Sequence, residues 1–198
     1  MYLIFKSKAG VPDIEVRFTP VPNLSERLKE YLNSATNPTI HDIYARATFI
    51  KYGALVREFA RVANTFDEWR ESRANQTECF VLLEAIMPAQ NQTAGSLVIR
   101  SAWNNDLVFD LLVTNVRAQP KVNGVGIMLV LAAGEIARQS GAEFGHVETA
   151  AGTTTYWVKF FRRGGPFIRH DTMPLAFRRA KGILADGGVT YVQNNEKS

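Results

Sequence analysis

The sequence predicts an α/β (α+β) domain with a mixed, mainly antiparallel sheet and helices on both of its faces. Three β-rich runs in the middle of the chain are joined by short connections, which favours an antiparallel meander. A glycine turn and alternating helical and β-rich segments follow, which predicts a parallel neighbour for the strand before the turn. With 198 residues, 46% hydrophobic and 21% charged, the chain suits one domain. We expect residues 1–192 to form it and residues 193–198 to be a disordered polar tail.

The first third of the chain predicts a hairpin and two helices. The β-prone residues 2–5 and 14–18 flank a turn-forming stretch and indicate a hairpin, or an edge strand with its lead-in. A first helix is expected from Asn23, which suits an N-cap, and a second helical region from Thr39 to Phe66.

Hydrophobic periodicity and glycine or proline stops place the later elements. The three central strands are expected at residues 78–86, 96–103 and 107–116. A helix from Ile127 to about Gln139, stopped by Gly141, should lead to a strand at residues 144–150. We then expect a helix over 153–163, a strand near Phe167, a helix over 174–184 and a strand over 189–192.

Composition excludes several classes of site. No apolar run approaches the roughly 20 residues of a membrane span, and the N-terminus lacks the pattern of a signal peptide, so we expect a cytoplasmic protein without membrane partners. Cys79, the only cysteine, allows no internal disulfide and favours a buried inert thiol. His41 and His170 lie far apart without ligand spacing, so no metal site is predicted.

The net charge of +4 is mildly basic, and much of the excess lies late in the chain. A basic patch of this kind suits nucleic acid, the phosphates of a cofactor, or solvent, and a solvated face is the commonest of the three. We therefore do not expect nucleic acid as a partner. The hypothesis of nucleic-acid binding has only one basis, the late basic residues Arg162, Arg163, Arg169, Arg178, Arg179 and Lys181.

A glycine loop between a strand and a helix is the most informative local feature. Gly124 and Gly126 close the loop after an apolar strand, where backbone N–H groups and the positive end of the next helix favour phosphate. A dinucleotide fold would have a third glycine where Leu129 stands, and a nucleoside-triphosphate loop would have Lys and Ser or Thr where Ile127 and Met128 stand. The residues at these positions therefore exclude both of those phosphate-binding loops.

The element order and the loop resemble the GNAT N-acetyltransferase superfamily. That family's loop has Arg or Gln, two residues, Gly, one residue, and Gly or Ala, and the matching residues here run from Lys121 to Gly126. A later family pattern similar to Phe-Tyr-x-x-x-Gly-Phe is matched by Phe160 and Phe161, followed by Gly164, Gly165 and Phe167. The resemblance implies that the parallel strands ending near Val116 and Ala150 splay at one end.

The resemblance implies acetyl-coenzyme A as acyl donor and an amine acceptor. The pyrophosphate would lie on the N–H groups of residues 122–126, and the pantetheine arm would run beside residues 112–116 like an extra strand. An amide near Thr114 would face the thioester carbonyl. The implied cofactor-binding residues are Thr114, Val116, Lys121, Val122, Asn123, Gly124, Val125, Gly126 and Phe161. A homodimer stays open.

Three residues are candidates for moving the proton of the attacking amine. Asp110 interrupts an apolar strand where some family members place a catalytic glutamate, although an outward-facing carboxylate explains it equally well. His146 and Glu148 share one face of the next strand, where the family usually has apolar residues. They suit a proton relay or a contact with the amine, but a satisfied surface or core pair is the commoner reason for such residues.

Phe161 separates two functional hypotheses. It stands where many family members have a tyrosine that protonates the departing thiolate, and Tyr156 lies about 140 degrees round the same helix. Thiolate is a tolerable leaving group near neutral pH, so an N-acetyltransferase acting on a small molecule or protein is the first hypothesis. A non-catalytic binding or structural protein of the same fold is the second.

Overall fold

The computed structural model describes residues 2–6, 11–18, 61–63, 65–75, 79–102, 104–115, 118–149 and 152–194. The helix predicted from Asn23 and the start of the helical region predicted from Thr39 lie outside these residues. Within them, no helix is long and apolar enough to cross a membrane.

The N-terminal strands form the predicted hairpin. Strand β1 (Tyr2–Lys6) pairs antiparallel with β2 (Ile14–Phe18), and β2 pairs antiparallel with β4 (Cys79–Met87). In β2 the buried residues alternate with more exposed ones, as expected for a strand with one face on the core. Cys79, at the head of β4, is a buried thiol whose Sγ lies 3.7 Å from the carbonyl oxygen of Phe80.

The prediction of one helical region reaching Phe66 is wrong at its end. Residues Arg61–Val62 form a short strand, β3, parallel to Cys79 and Phe80 of β4, and the N–H of Ala63 donates to the carbonyl of Phe80. A separate helix, α1 (Phe66–Ala74), begins after Thr65, whose hydroxyl accepts the N–H of Glu68 at 3.2 Å. Pairing with β4 thus replaces the helical hydrogen bonds that the sequence pattern favoured.

The central antiparallel meander is confirmed, but its second strand begins four residues earlier than the predicted residue 96. Strand β4 pairs antiparallel with β5 (Gln92–Ser101), and β5 pairs antiparallel with β6 (Leu107–Thr114). The β5–β6 register shifts by one residue, because Val98 faces Leu111 while Ile99 faces Phe109. Asp110 is therefore the extra residue of a β-bulge.

The predicted parallel pair is present and splays at one end. Helix α2 (Val125–Ser140) crosses from β6 to β7 (Phe144–Glu148), and the two strands pair only from Leu107 to Phe109 on β6. Strand β6 continues five residues further, from Asp110 to Thr114, without pairing with β7. The gap beside this free end of β6 positions the site.

Helix α2 lies against the core and is ended by glycine as expected. Residues 125–137 are buried except Ile127, and Gly141 at the C-cap has φ 71°. Gly95 on β5 lets the helix approach the sheet, because a Cβ there would lie 2.9 Å from Val125 Cγ1. The start of α2 is thus held close to the middle of the sheet.

The C-terminal third departs from prediction mainly in one helix. Helix α3 covers only Thr154–Trp157, and residues Arg163–Gly164 already form strand β8 on β9 (Ile168–Thr172). Arg169 donates to the carbonyls of Phe161 and Arg162, so the chain turns into the sheet instead of extending the helix over 153–163.

The last strand forms the edge of the sheet opposite β8, and the last helix packs on α2. Helix α4 (Met173–Asp186) packs on α2, and β10 pairs with β1. Strand β10 covers Thr190–Asn194, so Gln193 and Asn194 belong to the sheet and not to the predicted tail. Over the described residues the strand order is β10-β1-β2-β4-β5-β6-β7-β9-β8, with β3 beside β4.

Candidate functional site

A cleft of about 570 Å³ lies where β6 and β7 separate. The free end of β6 forms one wall, the glycine loop and the first turn of α2 form the second, and the start of α3 forms the third. The described residues that line it are Ala94, Leu112, Thr114, Asn115, Ala118, Lys121, Val122, Asn123, Gly124, Val125, Gly126, Ile127, Gly152, Thr153, Tyr156 and Trp157.

The glycine loop presents an uncapped helix start to this cleft. Gly124 is the N-cap of α2 with φ 83°, a left-handed conformation that favours glycine. No side chain of the described residues caps the first turn. The N–H groups of that turn and the positive end of the helix dipole therefore favour an anion, and the exposed Lys121 adds a positive charge.

Asn115 fixes the chain as it leaves β6, a role that the sequence analysis missed. Its side-chain amide donates to the carbonyl of Thr93 at 2.9 Å, and its backbone N–H donates to the carbonyl of Ala94 at 2.8 Å. The carbonyl of Asn115 accepts the N–H of Ala118 at 3.2 Å. These bonds tie the start of the loop to β5, so the cleft wall is held from behind.

The aromatic side chains of α3 and of the segment that follows it divide between the cleft and the core. Tyr156 and Trp157 line the cleft, whereas Phe161 is fully buried, with its ring centroid 5.1 Å from that of Phe109. Phe161 also packs over Gly145 on β7, where a Cβ would lie 2.8 Å from its ring. The sequence placed Tyr156 and Phe161 on different faces, and the structure turns the Tyr156 face toward the cleft.

Asp110 is a buried carboxylate in an ion pair and does not line the cleft. Arg100 Nε lies 3.2 Å from Asp110 Oδ2, and the Asp110 side chain is 2% exposed. Arg100 in turn lies over the ring of Phe80, 5.7 Å from its centroid. The guanidinium supplies the counter-charge that a buried carboxylate requires.

His146 and Glu148 are also outside the cleft lining. The burial pattern of β7 puts His146 and Glu148 on the face opposite Gly145 and Val147, as the period of two predicts. His146 Nε2 lies 2.8 Å from Asp106 Oδ2, and its ring centroid lies 5.8 Å from that of His170. The structure therefore does not bring Asp110, His146 and Glu148 together with the glycine loop in one constellation.

The other expected cofactor residues that the structure describes meet in one place. Thr114, Lys121 and residues 122–126 all line the cleft. Val116 lies outside the described residues. Of the expected residues that the structure describes, only Phe161 lies in the core and not in the cleft lining.

The late basic residues are partly committed to holding the fold. Arg179 pairs with Asp171 at 2.7 Å, and Arg169 binds backbone carbonyls. Arg178 and Lys181 instead line a separate groove with Arg138, which is itself paired with Glu135. The cluster is therefore divided between structural contacts and surface.

Comparison with solved structures finds similar chains that are described as acetyltransferases or GNAT proteins. A Trypanosoma brucei acetyltransferase is 16% identical with a TM-score of 0.44, and the match covers 77% of this chain and 94% of that one. PaiA N-acetyltransferase from Thermoplasma acidophilum, solved in complex with coenzyme A, is 17% identical with a TM-score of 0.46, covering 80% and 98%. FdhC, a nucleotide-linked sugar GNAT, is 12% identical with a TM-score of 0.48, covering 88% and 93%. No protein-family model and no curated protein matches the sequence.

Proposed function

We propose that the protein is a GNAT-type N-acetyltransferase that takes an acetyl group from acetyl-coenzyme A and transfers it to a primary amine of a small molecule or protein. One observation carries the proposal: the uncapped start of α2 and the free end of β6 meet in a single cleft. The first suits a diphosphate and the second suits an extended amide-containing arm, and coenzyme A joins these two groups in one molecule.

Two walls of the cleft then have a role toward this substrate. The diphosphate lies on the N–H groups of residues 122–126, with Lys121 as a nearby charge. The pantetheine arm extends along β6 past Leu112 and Thr114. Amine attack on the thioester builds an oxyanion, and one preorganised N–H near Thr114 would lower the barrier by about 3 kcal/mol.

The attacking amine must lose a proton, and Asp110 is the proposed base, with His146 or Glu148 acting through water. The proton then passes from nitrogen to a carboxylate, and coenzyme A leaves as the thiolate or thiol. These side chains stand outside the cleft lining. The alternative is therefore that the amine arrives neutral and that its positioning in the cleft accelerates the reaction.

A non-catalytic coenzyme-binding protein of the same fold is the second candidate. Phe161 has no proton to give, and of the described residues that line the cleft none is a carboxylate or a histidine. These features favour binding without turnover.

Calorimetric titration with acetyl-coenzyme A and a thiol-release assay over a panel of amines separate the possibilities. Binding together with amine-dependent thiol release supports the transferase. Binding without release from any amine supports the second candidate. The absence of binding would contradict both.

A further inference from the structure

The hydroxyl of Tyr156 is buried in the wall of the cleft without a hydrogen-bond partner in the described part of the chain. A buried hydroxyl that neither donates nor accepts destabilises the folded state, and such groups usually have a partner. The ring itself is fixed by its neighbours, with edge-to-face contacts to Trp157 and Phe160 at centroid distances of 5.2 and 5.4 Å. The position of the hydroxyl is therefore defined by packing, and its missing partner calls for an explanation.

The same hydroxyl lies against the first turn of α2. A Cβ added to Gly126 would lie 2.7 Å from Tyr156 Oη, which is closer than real Cβ atoms approach, but 3.5 Å from Cζ, an ordinary contact. Its third neighbour, Leu112 Cδ2, would also lie at an ordinary 3.5 Å. The tyrosine hydroxyl alone thus requires glycine at position 126.

We propose that the Tyr156 hydroxyl donates a hydrogen bond to a diphosphate oxygen of the coenzyme A held at the first turn of α2, and that Gly126 lacks a side chain so that this hydroxyl can reach the loop. The ligand in this proposal rests on the proposed function, whereas the contact between Tyr156 and Gly126 does not.

Two further observations support a donor role. Burial raises the pKa of the Tyr156 phenol, so the hydroxyl keeps its proton through neutral and mildly alkaline pH. The uncapped N–H groups of the first turn favour an anion within reach of Gly126, and a hydrogen bond to a charged acceptor is about twice as strong as a neutral one. The tyrosine would add a side-chain donor to a site otherwise made of backbone.

Binding of two probes tests the ligand contact. We expect Tyr156→Phe to bind coenzyme A about 10-fold to 100-fold more weakly than the parent, with a loss of the same factor for ADP, which has the diphosphate but not the pantetheine arm. Tyr191→Phe is the matched control, because Tyr191 is partly buried on β10 and does not line the cleft.

Parent-like binding of both probes by Tyr156→Phe would overturn the proposal, and a loss confined to coenzyme A would overturn the diphosphate as acceptor. If the parent protein itself binds neither probe, the proposed function fails, and the ligand contact fails with it.

A stability cycle tests the contact without any ligand. Gly126→Ala should lower the melting temperature of the parent by about 4 °C or more, because the new methyl group displaces the hydroxyl. In Tyr156→Phe protein the same change should leave the melting temperature unchanged or raise it, since alanine favours a helix over glycine. Equal effects of Gly126→Ala in both backgrounds would show that the hydroxyl is not what requires the glycine.

Discussion

Arg179 on α4 holds the buried carboxylate of Asp171 on β9, with 2.7 Å between Nη1 and Oδ2. The same guanidinium donates to the carbonyl of Phe160, and the N–H of Thr172 donates to the other oxygen of Asp171 at 2.9 Å. This ion pair therefore connects the last helix and β9 to the aromatic segment whose Tyr156 lines the cleft.

Asp171→Asn is expected to lower the free energy of unfolding by about 3–5 kcal/mol, because it leaves Arg179 mostly buried without its counter-charge. Urea unfolding measures the loss. Asp67→Asn is the control: Asp67 forms a surface pair with Arg70 at 3.2 Å, and such pairs contribute about 0–1 kcal/mol. Similar losses in the two variants would mean that burial of the Asp171 pair adds nothing.

Acid should weaken the fold through Asp171 and Glu135. Burial alone raises the pKa of each carboxyl, but hydrogen bonds lower it by more. Asp171 accepts hydrogen bonds from Arg179 and Thr172, and Glu135 accepts them from Arg138 and Gln139. Both pKa values therefore lie below their usual range. A depressed native pKa gives stability that is complete above the unfolded pKa and is lost as the pH falls through the native pKa. The free energy of unfolding should thus decline below about pH 4.

This decline should be shallower in Asp171→Asn, which has one fewer of these carboxyls to protonate. Urea unfolding at steps from about pH 6 to about pH 3 would measure both slopes. Parallel slopes in the parent and the variant would remove Asp171 from the explanation.

Local sequence patterns correctly predicted those elements whose structure is determined by their own residues. The meander, the Gly141 stop and the glycine loop follow from periodicity and from backbone angles that favour glycine. The strand at Arg61–Val62 depends on pairing with Cys79 and Phe80, which lie outside any local window. The early end of α3 depends likewise on Arg169, which reaches back to the carbonyls of Phe161 and Arg162.

The candidate site likewise has one part that the sequence predicts and another part that it does not. The loop from Lys121 to Gly126 is contiguous, so the sequence brings its residues together. The expected catalytic residues lie on two strands, and where their side chains go depends on the bulge at Asp110 and on partners such as Arg100 and Asp106. No periodicity in a single sequence specifies those partners.

Gly124→Val should weaken acetyl-coenzyme A binding by at least about 10-fold, because a branched residue is strained at φ 83° and obstructs approach to the loop. The control is Gly141→Val at the other end of α2, where φ is 71° and no atom lies within 4 Å of an added Cβ. Both variants should lose stability, but Gly141→Val should keep its affinity. Unchanged affinity in folded Gly124→Val protein would remove the loop from the binding site.

Asp110→Asn should keep the affinity for acetyl-coenzyme A and lose turnover by about 100-fold to 10,000-fold, the usual effect of removing a general base. The loss should be greatest at lower pH, where the amine acceptor is mostly protonated. Thiol release at saturating donor, followed from mildly acidic to mildly alkaline pH, measures it.

The ion pair with Arg100 requires a control that separates chemistry from folding. Arg100→Gln breaks the pair but keeps the carboxylate, so a structural role predicts that both variants lose stability and turnover together, with the same pH profile as the parent. A base predicts that Asp110→Asn loses turnover at every pH, whereas Arg100→Gln, which keeps the carboxylate, recovers turnover as the pH rises and the carboxylate ionises. If Asp110→Asn turns over like the parent across the whole range, the base lies elsewhere, or the amine arrives neutral and its positioning in the cleft carries the rate.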